Sequence, residues 1–234
     1  MAFPVPEATA TYRFAYRVTA ALRPFLVRVE AHGQEHVPHT GGIVLAGNHT
    51  QGVEIFAMGL SCHRMVHFMA KAEIFEINPW LSRLLYAAGA FPVRRGQRDL
   101  SALDTAVDIL RKGKALGIYP EGTRHPALAR GKSGAVRMAM MANVPIVPVG
   151  VSGTLEAEER AFKFRRRGLV TVRFGPPIWF DGDAQDPVYV QRATTEMMVG
   201  IAQQLPPSMQ GVYADAVRAE KRISTTSHRN RLPA

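Results

Sequence analysis

Residues 43–61, IVLAGNHTQGVEIFAMGLS, join a short apolar run to a helical pattern through a turn that contains a histidine. The run Ile43–Ala46 has the length and composition of a buried strand, and Gly47 and Asn48 are typical of residues at a strand's end. Apolar residues then recur at helical spacing over Val53–Ser61. A buried strand followed at once by a helix is the repeating unit of α/β proteins, so this stretch indicates the fold class.

The same alternation continues along the chain. It predicts an α/β fold: a single domain with a mixed, largely parallel sheet flanked by helices, plus an N-terminal amphipathic helix. The predicted strands are Val27–Ala31, Ile43–Ala46, Met65–Met69, Ala90–Val93, Ala115–Tyr119, Ile146–Val151 and Val170–Phe174. The predicted helices are Val53–Ser61, Pro79–Ala88, Leu100–Lys112, Gly134–Asn143 and residues 186–204 and 209–223.

Three parts follow from this pattern. They are an N-terminal amphipathic membrane-docking helix, a main domain, and a C-terminal helix with a flexible tail, at residues 1–28, 29–205 and 206–234. In the first part Phe14, Val18 and Leu22 share a helix face, and Arg13 and Arg17 lie four positions apart. Such a helix either lies in a bilayer surface or packs on its own domain.

The composition limits the class of protein. With 47% hydrophobic and 21% charged residues, the chain has the composition of a folded protein rather than a disordered one. Its 29 Lys and Arg against 19 Asp and Glu give a net charge of +10, which favours an anionic partner: nucleic acid, anionic lipid or a phosphorylated ligand. A single cysteine, Cys62, excludes an internal disulfide framework. The sequence has no apolar run long enough for a conventional membrane-spanning helix.

A possible catalytic pair follows the first quoted strand. His49 stands at its carboxyl end, where open α/β sheets bind their ligands, and Glu54 falls in the first turn of the next helix. A carboxylate there accepts a hydrogen bond from one imidazole nitrogen and leaves the other as a base. The alternative is a chance pair, since the helix dipole alone favours Glu in a first turn.

Cationic residues follow three other predicted strands. Residues 118–125, IYPEGTRH, place a turn after one strand, in which Gly122 permits close backbone approach and Arg124 matches phosphate oxygens. Arg94 ends GAFPVR, and Lys71 ends HFMAK. Because the carboxyl ends of parallel strands meet at one edge of a sheet, we expect a general base beside a phosphate-binding cluster. No HExxH or CxxC pattern occurs, and no metal is expected.

Four blocks in this order resemble the glycerolipid acyltransferase family. They are NHTQGVE, GAFPVR, EGTR and VPIVPVGVSG, the last spanning residues 144–153 around Pro148. The resemblance extends over roughly Glu30 to Phe174. The family normally has Asp in the place of Glu54, so either the helix begins with a different turn that preserves the pair, or acceptor choice is altered, or activity is lost. The first is favoured because EGTR and Arg94 are intact.

The resemblance implies roles for individual residues. His49 would be the general base and Glu54 the residue that orients it. The acceptor's glycerol phosphate would be bound by Lys71, Arg94, Glu121, Gly122, Thr123 and Arg124.

The activity implied is transfer of a fatty acyl chain from acyl-CoA to the sn-2 hydroxyl of 1-acyl-sn-glycerol 3-phosphate, giving phosphatidic acid. No cofactor is expected, and acyl carrier protein is an alternative donor. The expected setting is the cytoplasmic face of a membrane, with an anionic surface and a lysophospholipid as partners and no nucleic acid. Alternatives are acylation of glycerol 3-phosphate or another lysophospholipid, or a non-catalytic basic module that binds membrane or nucleic acid.

Overall fold

The computed structural model describes residues 9–14, 16, 17, 27–93, 100–157 and 168–229. Its seven strands form one sheet in the order β1-β7-β6-β2-β5-β3-β4. They are β1 (Val27–His32), β2 (Ile43–Gly47), β3 (Val66–Lys71), β4 (Ala90–Val93), β5 (Ala115–Ile118), β6 (Ile146–Ser152) and β7 (Gly168–Phe174). Strands β6, β2, β5, β3 and β4 are parallel to one another. Strand β7 is antiparallel to β6 and parallel to β1, so the sheet is mixed and largely parallel, as predicted.

Helices cover both faces of this sheet. They are α1 (helical residues 10–14 and 16–17), α2 (Val53–Ser61), α3 (Ala72–Glu76), α4 (Pro79–Ala87), α5 (Leu100–Arg111), α6 (Gly134–Ala142), α7 (residues 154–157), α8 (Pro187–Gln203) and α9 (Ala214–Arg229). Short 3-10 turns occupy Gln34–His36, Pro207–Met209 and Gly211–Tyr213. None of the described helices is both long and apolar enough to span a bilayer.

Strand β2 is buried on both sides, which explains its continuous apolar sequence. Side chains alternate between the faces of a strand. Val44 and Ala46 accordingly join the core beneath α5, α6 and α8, whereas Ile43 and Leu45 join the core beneath α2. All five residues of β2 are buried. The strand therefore forms the centre of the molecule and fixes where His49 emerges.

The predicted elements agree with the structure within a few residues, with three differences. Helices α3 and α7 were not predicted, because four or five residues are too few to show helical periodicity. Helix α9 runs from Ala214 to Arg229 rather than over 209–223, so the segment left for a flexible tail is shorter than expected. The division of the chain into three parts stays a prediction.

Some predicted features lie outside the described residues. They are Arg94 and most of the N-terminal segment. The described part of α1 contacts its own domain: the Thr9 hydroxyl donates to the Ala87 carbonyl at 2.6 Å, and the Tyr16 hydroxyl donates to the Leu60 carbonyl at 3.2 Å. Phe14 nevertheless remains 70% exposed. Both roles considered for this helix therefore remain compatible with its surroundings.

Candidate active site

Two loops meet at the carboxyl edge of the sheet. Strands β2 and β5 are adjacent and parallel, with Ala46 opposite Ile118, so the residues that follow them emerge side by side. The His49 backbone N–H donates to Oε2 of Glu121 at 2.9 Å, and the His125 N–H donates to the His49 carbonyl at 2.8 Å. The turn containing EGTR thus holds His49 by both of its backbone polar groups, and the predicted convergence of the two segments is confirmed.

The other side of His49 is anchored by strand β6 and the helical turn after it. The Asn48 amide donates to the Val151 carbonyl at 2.9 Å and accepts from the Val151 N–H at 2.8 Å. The hydroxyls of Thr50 and Thr154 are hydrogen-bonded at 2.8 Å. Neither interaction was predicted, because the sequence gives no register between β2 and β6. The histidine is consequently fixed by its neighbours on both sides.

His49 and Glu54 form a buried pair. The distance between His49 Nδ1 and Glu54 Oε1 is 2.7 Å, and Glu54 has no solvent exposure. The same carboxylate accepts from three consecutive backbone N–H groups, those of Thr50 at 2.6 Å, Gln51 at 3.0 Å and Gly52 at 2.7 Å. One side chain therefore orients the imidazole and satisfies the backbone donors that precede α2.

The turn before α2 explains how a glutamate fits this place. Gly52 has φ 130° and ψ −21°, a conformation that L side chains rarely adopt. It brings the Gly52 N–H within 2.7 Å of Glu54 Oε2, so the longer side chain folds back over the start of the helix. The structure agrees with the first of the three alternatives, a different turn that keeps the two residues paired.

Electrostatics keep Glu54 ionised. Burial favours the neutral acid, but hydrogen bonds from His49 and from the backbone N–H groups of Gly52 and Thr50 outweigh it, and the pKa of Glu54 lies below its ordinary value. A carboxylate can only accept, so His49 Nδ1 carries the donated proton. The lone pair of the neutral imidazole is then on Nε2, which is the position a general base requires.

Tyr119 stacks on the imidazole. The two ring centres are 4.6 Å apart with an angle of 19° between the planes, and the Phe68 ring lies nearly parallel to Tyr119 with its centre 6.3 Å away. The Tyr119 hydroxyl is buried and has no hydrogen-bond partner among the described residues. Burial, with a further contribution from the Glu54 charge, raises the pKa of Tyr119 well above its usual range. Tyr119 was not among the predicted site residues, although it directly precedes PEGTR.

Glu121 contacts backbone groups rather than solvent. Besides the bond from His49, its Oε1 accepts from the Ala129 N–H at 2.8 Å, and the residue is 4% exposed. Burial raises the pKa of Glu121, while the two backbone donors and the nearby His125 and His49 act in the opposite direction. The described contacts of Glu121 are those of a residue that fixes the position of His49. A role for Glu121 in substrate binding stays a prediction.

Two cations lie over glycines of the site. Arg124 Nη2 is 3.2 Å from where a Cβ on Gly52 would lie, and Lys132 Nζ is 2.9 Å from the corresponding point on Gly122. These glycines therefore leave room for the cations beside the His49 loop. Lys132 was not predicted, although it follows the EGTR turn closely in the sequence.

The remaining predicted residues are less tightly grouped. Lys71 is exposed at the end of β3, which β5 separates from β2. The Thr123 hydroxyl is 2.9 Å from His125 Nε2 and is also exposed. Within the described ranges, no three His, Cys, Asp or Glu side chains are arranged to hold a metal ion.

A cavity of about 330 Å³ adjoins the turn. It lies between the sheet and helices α5 and α6, and its lining is mostly apolar. The lining includes Met69, Leu103, Ile118 and Met138, together with Gly122 and Lys132 from the cationic region. An apolar space therefore leads away from the site on the face opposite α2.

With this geometry in place, comparison with known proteins identifies the class. Residues 28–152 match the family model described as Acyltransferase, which is more than half of the 234 residues and includes His49, Glu54 and the EGTR turn. The chain therefore belongs to the acyltransferase family, and the resemblance drawn from the four blocks is confirmed.

Individual relatives carry a more specific name. The chain is 30% identical over 168 residues to the 1-acyl-sn-glycerol-3-phosphate acyltransferase of Bacillus subtilis, covering 71% of this chain and 82% of that protein. It is also 30% identical over 154 residues to the human 1-acyl-sn-glycerol-3-phosphate acyltransferase beta, covering 63% of this chain and 54% of the human one.

A solved structure supports the fold. The crystal structure of the 1-acyl-sn-glycerophosphate acyltransferase PlsC from Thermotoga maritima matches with a TM-score of 0.56 and 22% sequence identity, over 80% of this chain and 74% of that one. At this identity the likeness concerns the fold alone, and it agrees with the predicted α/β architecture.

Proposed function

We propose that this acyltransferase transfers a fatty acyl group from acyl-CoA to the sn-2 hydroxyl of 1-acyl-sn-glycerol 3-phosphate, which gives phosphatidic acid. The observation that carries the proposal is the 2.7 Å contact between His49 Nδ1 and Glu54 Oε1, next to the turn that contains Arg124. The names of the relatives described above support the choice of acceptor. Acyl-CoA is preferred as the donor because its phosphates suit the cationic surface; acyl carrier protein presents the same thioester.

In the proposed reaction His49 acts as the base. Nε2 removes the proton of the sn-2 hydroxyl while the oxygen forms a bond to the thioester carbonyl carbon. The carbon–sulfur bond then breaks, and the departing thiolate takes up the proton from His49, leaving an ester and a free thiol. Glu54 stabilises the imidazolium formed in between. A positioned base contributes roughly 10²- to 10⁴-fold to the rate of such a step.

Cations and the cavity would position the two substrates. Arg124, Lys132 and Lys71 supply positive charge at the edge of the sheet where the acceptor's phosphate must lie, and Arg94 is proposed for the same role. The apolar cavity beside Gly122 offers space for an acyl chain. We further propose that the protein works on the cytoplasmic face of a membrane, where anionic lipid attracts its net charge of +10.

The test is an acyl-transfer assay with purified protein. Labelled 1-acyl-sn-glycerol 3-phosphate and labelled glycerol 3-phosphate are offered in parallel with acyl-CoA, and the lipid products are separated by chromatography. We expect phosphatidic acid from the first acceptor and loss of product for His49→Ala. His32→Ala, in the edge strand β1, is the matched control and keeps full activity. Absence of product with both acceptors, or equal activity of His49→Ala and the control, contradicts the proposal.

A further inference from the structure

Large apolar side chains are exposed along helix α4 and at Ile77, two residues before its start. Ile77 is 71% exposed, Trp80 75% and Leu84 50%. Trp80 and Leu84 are four positions apart on α4 and share one stripe of that helix, and Ile77 lies just before it, at the end of α3. No residue of α4 is fully buried, so the helix turns its largest apolar side chains away from its own domain. An uncovered stripe of this kind on a folded protein marks an interaction surface.

Further large apolar side chains are exposed on α3, which packs against α4, and on α2. Phe56 on α2 is 61% exposed and Ile74 on α3 is 37% exposed. The connections from β2 to β3 and from β3 to β4 run in the same direction across the sheet, so right-handed crossovers place α2, α3 and α4 on one face. We call the set Phe56, Ile74, Ile77, Trp80 and Leu84 the apolar face.

The apolar face begins at the edge of the sheet that carries the site. Helix α3 follows Lys71 without a gap, at the carboxyl end of β3, and Ile77 and Trp80 come next. His49 follows the carboxyl end of β2, which points the same way as β3. Phe56 lies in the first half of the helix that starts after His49. A flat partner resting on the apolar face would therefore also meet the loops around His49.

The chemistry of this surface matches the interface of a lipid bilayer. Tryptophan favours that region because its ring is apolar and its N–H is polar. The Arg83 guanidinium carbon lies 5.4 Å from the centre of the Trp80 ring, so a cation accompanies the ring where it would meet lipid phosphates. Exposed Glu73 and Glu76 on α3 together carry more charge than Arg83 and oppose attraction to anionic lipid. Apolar contact should thus supply most of the affinity and anionic lipid a smaller share.

We propose that the apolar face inserts into the interfacial region of a lipid bilayer and orients the carboxyl edge of the sheet toward the membrane. This proposal rests on the proposed function, because docking on a membrane serves the reaction only if the acceptor is a lipid that reaches His49 from the bilayer. It is separate from the docking predicted for the N-terminal helix, because it involves α2, α3 and α4.

The two tryptophans provide a direct test. Trp179 follows Ile178, which pairs with the first residue of β6, so it lies at the opposite edge of the sheet and is 60% exposed. Trp179→Phe leaves Trp80 as the reporter, and Trp80→Phe leaves Trp179. With vesicles of phosphatidylcholine and phosphatidylglycerol in equal parts, we expect Trp80 emission to move to shorter wavelength and its quenching by acrylamide to fall. Trp179 should respond to neither.

A second pair of variants measures affinity. Ile77→Glu/Leu84→Glu should lower the vesicle partition constant measured by flotation by about a hundredfold or more, because each of the two buried aliphatic side chains contributes about tenfold or more. Val188→Glu/Val212→Glu changes two equally exposed residues, 76% and 63%, away from the apolar face and should leave binding unchanged. Phosphatidylcholine alone should bind more weakly but measurably.

Several results would overturn the proposal. They are an unchanged Trp80 spectrum, an equal response from Trp179, or equal loss of binding in both double variants. A dimer in solution that only Ile77→Glu/Leu84→Glu disrupts, without any response to vesicles, would show that a second copy covers the face. Activity toward a short-chain, water-soluble acceptor separates the two proposals. If this activity persists while the protein does not bind vesicles, the docking proposal fails and the proposed function stands. If the protein binds vesicles but transfers no acyl group, the proposed function fails and the docking proposal stands.

Discussion

Replacing Glu54 by Gln tests the catalytic pair most directly. The change keeps the shape of the side chain and an oxygen that can accept the His49 Nδ1 proton, but it removes the negative charge. Opposite unit charges about 4 Å apart attract by about 4 kcal/mol at an effective dielectric constant near 20. Each 1.36 kcal/mol corresponds to about tenfold in rate. Since the amide oxygen retains part of the interaction, we expect kcat to fall by about 10²- to 10³-fold.

The structure also predicts a stability cost for the same change. A glutamine NH₂ group would face the N–H of Gln51 or Gly52, so at least one buried donor loses its acceptor, which costs about 1–3 kcal/mol. Glu54→Asp keeps the charge but is shorter by about 1.5 Å, and an error of that order in placing a catalytic group costs up to about 10²-fold in rate. We therefore expect Asp to restore part of the activity that Gln loses.

The measurement is kcat for phosphatidic acid formation, with thermal unfolding followed by circular dichroism to identify the folded fraction. Glu196→Gln, an exposed glutamate on α8, is the matched control and should match the wild type in both. A kcat for folded Glu54→Gln within about threefold of wild type corresponds to a change of less than about 1 kcal/mol in the activation free energy. That result would show that Glu54 does not support the base and would refute the proposed mechanism.

Four further outcomes are expected. The pKa of Glu54 in the folded protein is lowered from its ordinary 4.5, so its stabilising contribution is present above pH 4.5 and is lost as the pH falls through that lowered pKa. The Tm difference between wild type and Glu54→Gln should therefore shrink below pH 4.5. Glu121→Ala should lower kcat more than it raises KM for the acceptor, as a positioning role requires, whereas a larger effect on KM would indicate substrate binding. Tyr119→Phe should keep or raise the Tm because it removes a buried hydroxyl that has no hydrogen-bond partner among the described residues, while Tyr119→Leu should lower kcat through loss of stacking. Gly52→Ala should reduce the free energy of unfolding in urea by about 1–3 kcal/mol, because φ is 130° there and Arg124 occupies the space.

The main elements of the fold were predictable because its signals are local. Buried parallel strands are continuous apolar runs, and helix α2 occupies Val53–Ser61 as predicted. The antiparallel placement of β7 was not predictable, since an apolar run contains nothing about the direction of its neighbour. Helix α3 and the start of α9 were missed or misplaced for a related reason: short or weakly periodic segments take their structure from tertiary packing.

The site was predictable only in outline. That His49, Glu121 and Arg124 come together follows from adjacent strand ends at one edge, and this was anticipated. The contacts that hold them were not, because they depend on backbone geometry. The φ of Gly52 lets Glu54 reach three N–H groups, and no sequence pattern specifies that angle. Tyr119 and Lys132 were missed because their roles depend on which rings and glycines they meet in space.

The carboxylate of Glu54 has two roles: it accepts hydrogen bonds from the backbone at the start of α2, and it orients His49. These two roles affect how variation at positions 54 and 49 should be interpreted. A library of variants selected only for folding would keep Glu54, since its loss leaves backbone donors without an acceptor. It would allow many residues in place of His49, whose side chain makes one polar contact with the part of the chain that the structure describes. A library selected for acyl transfer would retain both. Retention of Glu54 under selection therefore reports both folding and activity, whereas retention of His49 reports activity.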